Sequence, residues 1–186
     1  PLALILLFML VTKEGTKNAL RLLKVSIYTL IGLLVANNLW ILVGFNIDTH
    51  FMNQYFWGGG DSVALKAAEN GRFGGVFNQP IESGIAYAVG VLGWLYLAEK
   101  KLIKINIISV IVLALLFMGG AFSVSKAFVI LGVALFFVGV FTNKVMLWRI
   151  MPLTLLFSVI GYFIYYYLTK TWDGLNYLLR LFDGSN

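Results

Sequence analysis

The sequence predicts an all-α fold: a polytopic transmembrane helix bundle of about six membrane segments with one longer outer loop. Three observations carry that expectation. The chain is 60% hydrophobic and only 12% charged, with a mean hydropathy of +0.89, far from the average soluble domain. Its apolar residues form unbroken blocks: 25–45 has no charge across 21 residues and 105–124 none across 20, and 127–143 and 150–169 are likewise uncharged. About 20 apolar residues cross a bilayer core, where a helix satisfies its own backbone. Barrel strands would instead alternate over about ten residues, which these blocks do not.

Taken in order, 1–11 is apolar but short. It reads as the end of a helix whose beginning is missing, so 1–186 is expected to be a single membrane domain, a fragment of a larger multi-pass protein. Nothing basic precedes this stretch and no small-residue cleavage site comes after it, which argues against a signal peptide. Membrane segments are then expected at 25–45, 81–98, 105–122, 127–141 and 150–168. An outer loop of about 46–80 separates the second and third segments, and 169–186 begins a second outer loop. Within the first loop, 61–71 reads as a short helix capped by Asp61 or Ser62 and stopped by Asn70 and Gly71. Trp57 and the three glycines after it read as a flexible turn. Tyr55, Phe56 and Trp57 are expected at headgroup level, as in an aromatic belt. Asn37 and Asn38, in mid-membrane, need partners and are expected to bond between helices. Gly84, Ala88, Gly90 and Gly93 would let the segment at 81–98 pack closely against a neighbour.

Charge sets the orientation. Lys13, Lys17, Arg21 and Lys24 fill the connector before 25–45, Lys100, Lys101 and Lys104 the one after 81–98, and Lys144 and Arg149 the one after 127–141. Cation-rich connectors stay in the cytoplasm, so the 46–80 loop faces outward. The net charge of +6 is thereby a topology signal. No basic stripe with interleaved aromatics points to nucleic acid. The absence of cysteine excludes disulfide and thiolate chemistry. The lone His50 with Asp48 is too little for a metal site, and no cofactor is expected.

The stretch Arg72-Phe73-Gly74-Gly75-Val76-Phe77-Asn78-Gln79-Pro80 carries the most chemistry. It places a guanidinium on a Gly-rich turn that runs directly into a membrane segment. Arginine grips phosphate or carboxylate bidentately and stays charged, so an anionic ligand at the bilayer face is the natural partner. The plainer role is snorkelling to lipid headgroups or pairing with Glu69.

Arg72, Gly75, Phe77, Asn78 and Pro80, followed by a membrane helix, resemble the O-antigen ligase and O-antigen polymerase superfamily of bacterial multi-pass membrane proteins. A second element agrees in order: Ser123-Val124-Ser125-Lys126-Ala127 stands at an outer turn one helical hairpin later, where the family carries Ser-Arg-Gly or Ser-Arg-Ala. The resemblance covers about 71–168. Two departures are visible: Lys126 replaces arginine, and Gln79 separates Asn78 from Pro80.

The resemblance implies a membrane glycan ligase or polymerase of the bacterial cytoplasmic membrane, serving lipopolysaccharide or capsule biosynthesis. Such a glycosyltransferase moves oligosaccharide from a polyprenyl-diphosphate carrier to a glycan or lipid acceptor among the membrane lipids. Arg72, Lys126 and Arg180 would bind the diphosphate or glycan, with Ser125 supporting the motif. Glu82 and Glu69 are the candidate general bases, although Glu82 also suits a helix N-terminus electrostatically. The competing class is a multi-pass transporter of an anionic solute or lipid-linked glycan. The lack of ionisable residues in mid-membrane weighs against it.

Overall fold

The computed structural model describes residues 13–46 and 49–142 of the 186. They form helices and connecting turns, with no strand among the described residues. α1 is Lys13–Asn46, α2 Thr49–Tyr55, α3 Val63–Glu69, α4 Pro80–Glu99 and α5 Ile107–Phe122; a π-helical segment, Phe128–Ala134, then runs into α6, Leu135–Thr142. Helix therefore covers the expected segments at 25–45, 81–98 and 127–141 and all but the first two residues of 105–122, and those at 1–11 and 150–168 lie outside the described residues. Among the described residues, two stretches are long and apolar enough to cross a bilayer, Asn18–Gly44 and Pro80–Glu99. Ile107–Phe122 and Phe128–Thr142 are shorter apolar helices.

The connector expected before residue 25 is instead the start of α1. Ala19, Leu20, Arg21, Leu22, Leu23 and Lys24 are all good helix formers, and no proline interrupts them. Charge marks where an apolar span stops, which differs from where a helix stops. α1 runs for 34 residues, roughly 50 Å at about 1.5 Å per residue.

The helix starts have local causes. Ser62 is extended, and its hydroxyl accepts from the Leu65 amide at 3.1 Å, opening α3 where the sequence predicts. Pro80 opens α4, where its missing N–H costs nothing, and Gln79 before it is extended, as a pre-proline residue prefers. Asn106 and Ser109 bond each other's backbone amides at 2.9 and 3.0 Å, a capping box that opens α5.

α4 is the central helix. It packs against α1, α5 and the π-helical segment and buries Tyr87, Ala88, Val91, Trp94 and Leu97. Gly90 lies against Leu34 and Leu116, and Gly93 against Ile27, as expected of small residues at a helix interface. The outer surface is apolar: Leu33 is 65% exposed, Ile107 77% and Phe141 63%.

One sequence expectation is corrected here. Trp57 is not at the surface with Tyr55; it is 4% exposed while Tyr55 is 65% exposed. The 46–80 loop folds back over the bundle, and the indole N–H donates to the Gly75 carbonyl at 2.9 Å. An indole can be buried once its N–H has a partner.

Candidate functional site

Beyond α3 the chain turns at Gly71, and the Arg72 amide donates to the Ala67 carbonyl at 3.0 Å. The buried Phe73 then reaches the end of α5, its amide donating to the Phe122 carbonyl at 2.8 Å. Gly74 and Gly75 run inward from there and are held by Asn37 of α1. The Asn37 amide group donates to the Gly74 carbonyl at 3.1 Å, and its oxygen accepts from the Val76 amide at 2.9 Å. Gly75 has φ +68, and a Cβ there would overlap the Asn37 amide. Both conditions restrict the position to glycine.

Asn37 also belongs to a buried polar network between helices. Its Nδ2 lies 3.2 Å from the Tyr87 hydroxyl, which is 2.9 Å from the Leu34 carbonyl and 3.0 Å from the Asn38 side-chain oxygen. Asn38 donates in turn to the Leu115 carbonyl of α5 at 3.1 Å. The expected interhelical role of the asparagine pair is thus present. Asn37 adds a grip on the loop that the sequence did not signal.

The second motif sits directly beneath the loop. α5 ends at Phe122, and the Ser123 hydroxyl donates back to the Gly120 carbonyl at 2.6 Å. Val124 is fully buried with φ +44, a left-handed conformation that a β-branched residue adopts at a cost of about 1–3 kcal/mol. Ser125 is buried against Gly84 in the first turns of α4, where a Cβ would come within 2.5 Å of the serine's own. Ser83 is fully buried there too, and its hydroxyl has no hydrogen-bond partner among the described residues. A cavity of about 260 Å³ opens beside this turn, lined by Phe117, Val124, Ser125, Phe128 and Val133.

The structure distributes the predicted site residues over both turns and beyond them. Arg72 is half-buried and Lys126 exposed, on two turns joined by the bond from Phe73 to Phe122. Gly75 is buried, Phe77 half-buried and Asn78 exposed along the same loop, and Pro80 begins α4. Glu82 is exposed in the first turn of α4, where a carboxylate suits the helix dipole. Glu69 is exposed at the last residue of α3. Arg180 lies outside the described residues. On the flank, Lys66 pairs with Asp61 at 2.8 Å, and the hydrogen bond and charge of that carboxylate hold the Lys66 ammonium above its ordinary pKa.

Sequence reasoning missed Trp57 and Ser83 as parts of the site, and Asn37 as a loop anchor. An asparagine pair inside an apolar run was the one available signal. Among the described residues, no cluster of three His, Cys, Asp or Glu side chains could hold a metal ion. Compared with known protein families, with curated proteins and with solved structures, the chain matches none.

Proposed function

We propose that the chain is the membrane part of a bacterial glycan ligase or polymerase that uses a polyprenyl-diphosphate-linked donor at the outer face of the cytoplasmic membrane. The observation that supports this reading best is the bond from the Phe73 amide to the Phe122 carbonyl. It joins the Arg72 loop to the Ser123–Lys126 turn, two cation-bearing elements far apart in the sequence. A half-buried guanidinium on one turn and an exposed ammonium on the turn joined to it suit a diphosphate, whose charge rises as the sugar departs.

In this mechanism an acceptor hydroxyl attacks the anomeric carbon of the donor sugar. A bond forms between the acceptor oxygen and that carbon, and the bond from the carbon to the diphosphate oxygen breaks with its electron pair going to the phosphate. Arg72 and Lys126 neutralise the leaving diphosphate, and Arg180 is a third candidate for that role. The hydroxyl proton passes to a carboxylate, with Glu82 and Glu69 the candidates at this end of the bundle.

The test uses the complete gene in a strain lacking it, comparing wild type with Arg72→Ala at matched membrane levels. Accumulation of carrier-linked glycan with loss of finished polymer is the expected result. Wild-type levels of both pools in the deletion and in the mutant would remove the reading and bring anion transport forward.

A further inference from the structure

We propose that the opposite end of the bundle binds the headgroup of an anionic phospholipid, between the first turns of α1 and the turn joining α4 to α5. The proposal rests on the membrane reading of the chain and is independent of glycan transfer. Arg21 and Lys24 stand three residues apart on α1, and Lys17 and Lys13 precede them in the sequence at steps of four. That is the spacing of neighbours on one helix face. Further along α1, the Tyr28 hydroxyl donates to the Leu102 carbonyl at 3.1 Å, and the Lys24 ammonium lies 5.8 Å from the Tyr28 ring centre. This contact sets the turn that carries Lys100, Lys101 and Lys104 against the stretch of α1 next to Lys24. Arg21 and the three turn lysines are exposed, and none of the five cations is ion-paired with another described residue. Glu99 is the one acid beside them on this turn.

Three features go beyond an orientation signal. The end of α4 is a Schellman turn: the Leu102 amide bonds the Leu97 carbonyl at 2.8 Å and the Lys101 amide the Ala98 carbonyl at 3.1 Å. Lys101 holds the left-handed position at φ +55, which glycine ordinarily takes. A cation is therefore kept where the backbone favours another residue. Second, α1 is longer than the roughly 30 Å of a hydrocarbon core, so it can reach past that core, and its cations lie toward its N-terminal end. Third, Leu20, Leu22 and Leu23 beside them are 53, 56 and 46% exposed. A surface part cationic and part apolar suits a phosphate that carries hydrocarbon better than a free anion.

The full-length protein, delipidated in neutral detergent, would be given equal amounts of phosphatidylglycerol and phosphatidylcholine, and the retained lipids counted by native mass spectrometry. Wild type is expected to enrich phosphatidylglycerol. Lys101→Gly is expected to lower that enrichment about fivefold while raising the thermal midpoint, since glycine relieves the turn. Arg21→Gln combined with Lys24→Gln should lower it further, whereas Lys66→Gln, on the opposite loop and paired with Asp61, should leave it unchanged. Equal retention of the two lipids by wild type, or equal enrichment in wild type and Lys101→Gly, would overturn the proposal. So would displacement of the lipid by inorganic phosphate, which would assign a soluble anion instead.

Discussion

Two connectors close the two ends of this bundle, and they do so by opposite means. The turn after α4 is closed by its own neighbours: Lys100 bonds Tyr96, Lys101 bonds Ala98, and both Leu102 and Ile103 bond Leu97. Tyr28 adds one bond from outside. The loop before α4 is closed by distant residues, with Asn37, Trp57 and Phe122 each holding one or two of its backbone groups. The first turn can form as soon as α4 forms. The second has its shape only when α1, α5 and the Trp57 turn are already assembled. A loop held from three directions has a fixed backbone, so the Cα positions of residues such as Arg72 are set by the packing of the helices.

The contrast predicts an order of sensitivity. Gly75→Ala should have the largest effect, because it combines a left-handed backbone with overlap on the Asn37 amide. A loss of about 3 kcal/mol, or of folded protein altogether, is expected. Gly59→Ala, at φ +72 with nothing within 4 Å of its Cβ, should cost only about 1 kcal/mol. Unfolding of the two variants in mixed micelles measures the difference, and equal losses would mean that backbone strain alone decides.

Asn37→Ala comes next. It strips the Gly74 carbonyl and the Val76 amide of their partner, for about 2 kcal/mol, and should open residues 71–79 to limited proteolysis. A variant with an intact loop would refute the distant-anchor account. The smallest change, and the one of opposite sign, is Lys101→Gly. It should stabilise by up to about 1 kcal/mol, read as a higher thermal midpoint.

Much of the helical framework was legible in the sequence because its signals are local. The apolar run at 81–98, with Glu82 its one charge, begins after Pro80 and ends at Glu99 and the lysines that follow, and the structure has α4 at Pro80–Glu99. Ser62, Asn70 and Gly71 announced α3 for the same reason. The errors fall where a signal has two physical meanings. Cations such as Lys13 to Lys24 can mark a bilayer boundary and also sit comfortably in a helix. Trp57 next to Tyr55 reads as an interfacial aromatic unless something covers it, and what covers it is a loop 18 residues on. The site was legible in part. Arg72, Lys126 and the glycines stood out as residues, but the junction of their two turns depends on the packing of α4 against its neighbours. The buried hydroxyl of Ser83 had no sequence signal at all.

The π-helical segment Phe128–Ala134 bears on how this bundle tolerates changes of chain length. Bonds from i to i+5 hold more residues per turn than an α-helix does, so such a segment absorbs an extra residue without rotating the helix beyond it. Phe128 stacks edge-on to Phe117, and Phe136 does the same one stretch later, so both sides of the segment keep one phase toward α5. Removing one residue here would let the wide turns tighten toward α-helix while Phe136 and Val140 stay in the core. The same deletion in α4 would turn Trp94 and Leu97 away from their neighbours. Of the helices described, this one alone carries slack of that kind, next to the turn that bears Lys126.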